Sequence, residues 1–368
     1  MLIDCMASLA PAWSAVASAL PRRRYFHRLE YFESALTTVL APSSDRLFAL
    51  SAPGRALVPL RSRVATFGRV PGVRLLEVPN TALLDLQDGL LAPGDLDAMQ
   101  TVLAGLAELP PWDVLWIPRV MAESPMLHAL RRLSPPGLAI TEISESKSVS
   151  LAGGYRAVES RIGHKFLVNE RRKMKKLAQL GEVAHRIHYP TDRADPLFAE
   201  FLRIEASGWK GRVNSAIAAS PQVLAFFEQL IARFGPEKQC RLDALTLDDR
   251  PIAMQFSLVV DGVISLLKLG FDEEYQAMGP GGLLIHETLR GVGTPEDGLE
   301  ELSFVTGAPW NDPWGARAQA VFDVRIYNHT PRAQAVWGIA QLTPHLKRGL
   351  AWAKNRHTPS ERPEASSP

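Results

Sequence analysis

Three strand-like runs, Cys240 to Leu247, Pro251 to Val260 and Val263 to Phe271, are separated only by Asp248-Asp249-Arg250 and by Asp261-Gly262. Turn residues that close together mark hairpins, so the stretch predicts an antiparallel meander. The next segment of the chain narrows the choice further: ISLLKLGFDEEYQAMGPGGLLIHETLRG sets a strand, a polar turn, a glycine-rich loop and a helix in direct succession. The first turn of a helix leaves backbone N–H groups unpaired and carries partial positive charge, which suits phosphate. Glycines at 279, 281 and 282 let the backbone approach an anion without a Cβ in the way, although Pro280 has no N–H to give. The plainer alternative is that Gly-Pro-Gly-Gly only turns the chain. The loop lacks the Gly-Lys-Ser/Thr ending of a nucleotide-binding P-loop and the parallel βαβ unit of a dinucleotide fold.

From residue 25 to about 150, short strand-like runs (Leu47 to Leu50, Ala56 to Leu60, Arg74 to Val78, Val114 to Ile117) alternate with helical patterns such as Asp95 to Leu109. That is α/β or α+β in class. Pro135-Pro136 and the Ser-rich SESKSVS after it predict a change of direction into a second unit. Residues 155–180 read as one long helix ending at Gly181; then come a strand from Val183 to His188 and helices from Asp195 to Trp209 and from Pro221 to Phe234. After the meander, the pattern gives a helix from Gly282 to Arg290 and strands from Leu299 to Val305 and Gln319 to Tyr327. A helical segment from Arg332 to Arg356, broken at Pro344, precedes a tail of disordered composition.

The 368 residues are 46% hydrophobic, enough to bury a large core in two domains of ordinary size. A net charge of +2 does not point to a general nucleic-acid or membrane binder, although an overall balance can conceal local basic patches. Cys5 and Cys240 form neither a disulfide framework nor a CxxC metal pattern, and fit a reducing compartment. The apolar stretch Leu9 to Leu20 has Asp4 before it and Arg22-Arg23-Arg24 after it, the reverse of an export signal. Leu9, Trp13, Val16 and Leu20 recur at helical spacing instead. No segment approaches the roughly 18 uninterrupted apolar residues of a membrane span, so the expected location is cytoplasmic.

Gln276-Ala277-Met278-Gly279-Pro280-Gly281 matches Q-x-x-G-x-G, the coenzyme A loop of GNAT acetyltransferases, and it stands after a meander and before a helix as in that family. With FLRIEASGWKG (Phe201 to Gly211) upstream and a Trp-containing segment downstream, the chain resembles double-domain acyltransferases labelled cellulose-biosynthesis GNAT proteins. These are related in fold to the Fem aminoacyl transferases and to bacterial ceramide synthases. The similarity is best from about 160 to 315. The resemblance implies two tandem GNAT-like modules, each a mixed, mostly antiparallel twisted sheet flanked by helices. Their expected bounds are residues 1–150 and 151–331, with C-terminal helices (332–356) packing on the first module and a disordered tail (357–368). It also implies acyl-CoA as co-substrate, held by Gln276, Ala277, Met278, Gly279, Gly281, Gly282 and Leu283, with no metal.

Transfer from a thioester to an amine needs a general base and a donor for the thiolate or carbonyl oxygen. Glu205 is one candidate base, with Trp209 at i+4 and Lys210 alongside as substrate contacts in the same cleft; a surface or capping carboxylate is the plainer reading of Glu205. His286, one turn into the helix, is a second base or a substrate contact, and otherwise a satisfied helix histidine; with Arg290 four residues on it makes no HExxH zinc site. Tyr275 is a donor to the thiolate or a packing residue, and Asp272 a substrate contact or a turn residue. Trp310 and Asp312, with Asn311 and Trp314, line an acceptor pocket or pin a loop. Cys240 is structural, and Ser144 and Lys147 lack the companions of a Ser-x-x-Lys enzyme. Arg161, Lys165, Arg171, Arg172, Lys173, Lys175 and Lys176 crowd one helix, either as a solvated face or as a site for an anionic acceptor, the cofactor's 3′-phosphate or nucleic acid.

The expected activity is N-acyl transfer from acyl-CoA to a small-molecule or lipid-linked amine acceptor, a long-chain base or envelope precursor included, with peripheral contact at the inner membrane face through basic helices. Because Fem enzymes use aminoacyl-tRNA, tRNA is the rival donor. A catalytically degenerate scaffold or binding protein is the non-enzymatic alternative.

Overall fold

The computed structural model describes residues 6–40, 45–81, 83–208, 216–292 and 298–342. After helices α1 (Met6–Ala17) and α2 (Leu29–Thr37), strands β1 (Arg46–Ala52), β2 (Ala56–Phe67) and β3 (Val70–Glu77) form an antiparallel meander, with the short β4 (Leu90–Leu91) on β2. Helix α3 (Leu96–Gly105) then carries the chain back to β5 (Val114–Met121), which is parallel to β3. Helix α4 (Pro125–Leu133) leads into β6 (Leu138–Ser150).

The second half repeats this plan. Helices α5 (Gly154–Glu159) and α6 (His164–Leu177), strand β7 (Val183–His188) and helices α7 (Pro196–Ser207) and α8 (Pro221–Phe234) precede the meander β8 (Cys240–Leu247), β9 (Arg250–Val260) and β10 (Val263–Phe271). Helix α9 (Pro280–Gly291) returns to β11 (Glu301–Ser303), parallel to β10, and β12 (Arg317–Tyr327) and a helix, α10 (331–342), complete the described chain. Asp248, Asp249, Asp261 and Gly262 all have positive φ, as two-residue hairpin turns require.

All strands join one sheet, ordered β1-β2-β3-β5-β12-β6-β11-β10-β9-β8-β7. At its centre the last strand of each half has crossed to the other: β12 lies against β5, β6 lies against β11, and the two pair with each other. The fold is therefore mixed α/β with a large, mostly antiparallel open sheet, as expected. Alternation along the meander sorts side chains to two layers. Leu242, Met254, Phe256 and Leu258 meet α7 and α8 through Phe201, Phe226 and Phe234, while Leu245, Leu247 and Ile252 meet α9 through Leu283 and Leu284.

Two expectations about local structure differ from what is observed. The Ser-rich SESKSVS lies inside β6; its polar character reflects a strand whose Lys147 is neutralised by Glu145 and Asp312 and donates to Gly307 O. The helix expected over 155–180 is two helices, because Gly163 is extended (φ −60°, ψ 129°) and Ile162 turns in to the core beside Trp314.

Arginines tie the halves together. Arg23 grips Asp261 through Nε (2.9 Å) and Nη2 (2.7 Å), Arg24 reaches Glu301 and Glu123 (both 2.7 Å), and Tyr31 of α2 stacks edge-on against Phe226 of α8 (5.5 Å).

Candidate active site

β10 and β11 pair from Val263↔Glu301 to Ser265↔Ser303 and then part. β11 stops, and Phe304 N donates to Lys147 O (2.9 Å), drawing that chain toward β6 while β10 runs on to Phe271. Val305 takes the turn at φ 63°, a strained conformation for a β-branched residue. A β-bulge between Leu266 and Lys268 bends β10 at the same level and leaves Leu267 outside the ladder. The parting strands open a cleft of about 860 Å³. In the first half β3 ends at Glu77, its last residue paired with β5, so no overhanging strand faces a matching gap.

The glycine loop forms one wall of this cleft through Gly279, Gly281 and Gly282. Gly279 caps α9 at φ 61°, ψ 54°, a left-handed conformation that glycine adopts freely. The loop amides are largely committed: Gly279 N donates to Gln276 O (2.9 Å), and Gly282 N and Leu283 N both donate to Gly279 O (3.0 and 3.1 Å). With Pro280 lacking an N–H, Gly281 is the loop amide without a backbone partner among the described residues.

Helix α6 supplies the neighbouring wall through Phe166, Glu170 and Lys173. Glu170 is buried at 1% exposure, and its Oε1 accepts from Lys173 Nζ (2.6 Å). Its Oε2 is buried without a hydrogen-bond partner and stands 3.3 Å from where a Cβ on Gly282 would lie. Trp314 closes the corner, edge-on to Phe166 (4.9 Å) and stacked on His286 (6.2 Å).

The first half also reaches the cleft. Asp85, in the segment between β3 and β4, lines the cleft together with Lys268 and Thr306. Burial raises its pKa above the ordinary carboxylate range, against the pull of Lys268 and Arg119. Arg119, at φ 54° in β5, holds this segment: its guanidinium donates to Asn80 Oδ1 (3.2 Å), to Thr81 O (2.9 Å) and to Leu84 O.

Of the residues to which the sequence points, Gly279, Gly281, Gly282 and Trp310 border the cleft; Trp310 is half exposed and packs edge-on against Phe304 (5.5 Å). Gln276 and Ala277 are exposed beside it, and Met278, Tyr275 and Leu283 pack in or against the cluster around Leu284. Glu205 lies under Gly270 in a small neighbouring pocket that shares Leu269 and Phe271 with the cleft, and its Oε2 accepts from Ile217 N (2.9 Å). His286 is buried within α9, bonded through Nε2 to Tyr155 OH (2.8 Å), with Nδ1 3.9 Å from Glu287 Oε1 and without a hydrogen bond; burial lowers its pKa. Asp272 caps the turn before the loop by accepting from Glu274 N (3.1 Å), and Asp312 pairs with Lys147. Trp209 and Lys210 lie outside the described residues.

Asp85 and Glu170 are cleft residues that sequence reasoning missed. Each has a faint signal: Asp85 is an acid within the apolar run Leu83 to Leu86, and Glu170 is the lone acid in the basic stretch Arg171 to Lys176 and its approach. A smaller cavity of about 290 Å³ lies elsewhere, between Arg22 and the start of α4. Among its charged groups, Arg24 pairs with both Glu123 and Glu301, and Arg22 with Glu301. Among the described residues no cluster of three His, Cys, Asp or Glu is placed to hold a metal, and no helix is long and apolar enough to cross a membrane.

Residues 164–314 match the family model described as an acetyltransferase (GNAT) domain, the stretch that holds α6, the meander, the glycine loop and Trp314. No curated protein matches the chain. Among solved structures, FemX is similar with a TM-score of 0.60 at 11% identity, over 89% of this chain and 97% of that one. A conserved protein of unknown function from Bacteroides thetaiotaomicron gives 0.57 at 12% identity, over 89% and 100%. The C-terminal domain assigned to a lysylphosphatidylglycerol synthetase from Agrobacterium fabrum gives 0.51 at 12%, over 90% and 96%. At such identities the likeness is one of fold, and the fold is of the GNAT acyltransferase type.

Proposed function

We propose that this chain is an N-acyltransferase that moves an acyl group from acyl-CoA to an amine in the cleft between β10 and β11. The observation that carries the reading is the position of Gly279, Gly281 and Gly282 at the start of α9, on the cleft wall where the strands part. A diphosphate belongs at such a helix start, and the acyl end of the donor then lies along β10 toward Leu267.

The reaction needs a neutral amine, a polarised carbonyl and a proton for the leaving sulfur. Asp85 is the base in this reading. Its carboxylate has no hydrogen bond among the described residues, and burial raises its proton affinity. It takes the proton from the acceptor's ammonium; the amine nitrogen then bonds to the carbonyl carbon, the C–S bond breaks, and sulfur leaves with the electron pair. Lys268, which also lines the cleft, gives the sulfur a proton and recovers the second proton that the nitrogen sheds as the amide forms, while the proton on Asp85 passes to solvent. Backbone freed from the ladder at Leu267 faces the carbonyl oxygen. Glu205 supports this arrangement by holding Ile217 rather than by touching the acceptor, while His286 and Tyr275 act from behind the loop.

Leu266, Leu267, Phe304, Val305 and Trp310 give the cleft an apolar side. That suits a long acyl chain or a lipid-linked amine, in keeping with the double-module proteins of the cellulose-biosynthesis type and with peripheral work at a membrane. A thermal-shift panel of acyl-CoAs of increasing length tests this: stabilisation should grow with chain length.

A second reading, with aminoacyl-tRNA as donor, is favoured by Glu170 and the committed amides at the loop, and by the exposed Lys165, Arg172, Lys175 and Lys176 on α6. Salt-sensitive tRNA binding with no shift from any CoA selects it. Unchanged cellular function after Gly281→Trp would instead select a non-catalytic scaffold.

A further inference from the structure

We infer that Glu170 is a resident anion at the donor's diphosphate subsite and sets how much negative charge a donor can bring there. The inference rests on reading Gly279–Gly282 as that subsite. Three observations carry it. The carboxylate is almost fully buried, yet Oε2 has no hydrogen-bond partner. That oxygen stands 3.3 Å from where a Cβ on Gly282 would lie, beside the first turn of α9, where the helix offers its positive end. Only one loop amide, that of Gly281, lacks a backbone partner among the described residues.

Buried acceptors are nearly always bonded, so an orphaned carboxylate oxygen at a helix start marks a place shaped for interaction with something else. Here the oxygen takes the potential that a phosphate would use. Lys173 offsets part of the charge by holding Oε1 at 2.6 Å, and its Nζ lies 3.2 Å from the Cβ position of Gly279, on the rim of the same subsite. A diphosphate entering therefore meets one favourable cation and one opposed carboxylate. Glu170 discriminates against the most highly charged donors, and Lys173 opposes that effect.

Two substitutions of opposite sign test this by calorimetric titration with coenzyme A and with pantetheine, which has the same arm and no phosphate. Glu170→Gln keeps the shape and removes the charge; it should tighten coenzyme A by about tenfold, since unit charges a few ångströms apart interact appreciably even at partly screened sites. Pantetheine affinity should stay the same. Lys173→Met leaves the carboxylate unopposed and should weaken coenzyme A by a similar factor, a reversal that general loosening of the fold does not produce. Equal coenzyme A affinity in the wild type and Glu170→Gln, or an equal gain for pantetheine, overturns the inference alone. No coenzyme A binding by either protein overturns the donor assignment, and this inference falls with it.

Discussion

In the proposed reaction, Asp85 gives up stability for chemistry. Burial raises its folded pKa above the unfolded value, so ionising it favours the unfolded chain. The folded protein has its full stability below the unfolded pKa and loses part of it as pH rises through the folded one. Asp85→Asn removes that cost, and thermal unfolding at neutral pH should move up by about 2 °C. The same change should lower kcat about a hundredfold or more, the usual contribution of a general base. It should also abolish the acid limb of the pH–rate profile, which reports protonation of the base. A variant that keeps the acid limb at full rate shifts the role to another group, and Glu205→Gln and His286→Ala are the comparisons that find it.

Among elements, the β8–β9–β10 meander and α9 are legible in the sequence because their signals are local. Asp248-Asp249 and Asp261-Gly262 demand positive φ, and Gly279 demands a left-handed cap. Where a neighbour far along the chain decides the outcome, the local signal misleads. The serines of β6 have the composition of a linker, yet β12 and β11 make them a central strand. Asp85 is illegible for the same reason: Arg119, far along the chain on β5, helps hold the segment that carries it. At the edge of the sheet, long-range partners also decide the charge of a buried acid. Asp243, fully buried in β8, accepts from His185 Nε2 of β7 (2.9 Å) and from Arg241 Nε and Nη2 (2.8 and 2.6 Å). Burial alone would push its pKa up, but those partners hold it at about 2. Its stabilisation is present above the unfolded value of roughly 3.9 and is lost as pH falls through the folded one. Asp243→Asn, which leaves the buried Arg241 without that carboxylate, should cost about 3–5 kcal/mol in denaturant titrations at pH 7. It should also flatten the fall in stability between pH 4 and 2; a cost below about 1 kcal/mol would show that β7 is held by its ladder alone.

At the scale of the molecule, β6 and β12 each pair with strands of the other half, so neither half's part of the sheet is complete alone. The boundary expected at residue 150 falls at the end of β6, whose partners β11 and β12 both lie beyond it. A fragment ending there would present β5 from Val114 to Met121 and β6 from Leu138 to Ser150 as open edges, each deprived of β12, and long unpaired edges aggregate. The arginine clamp from Arg23 to Asp261 and from Arg24 to Glu301 couples the same halves outside the sheet. In the proposed reaction the exchange also brings Asp85 of the first half and Lys268 of the second to the lining of one cleft. The full chain should therefore unfold in calorimetry as one transition with equal calorimetric and van't Hoff enthalpies. Residues 1–150 expressed alone should be insoluble and regain solubility only when 151–368 is co-expressed. Two resolved transitions, or a folded 1–150 fragment by circular dichroism, would mean that each half is stable without its neighbour's strand and that Asp85 is held in the cleft only by docking.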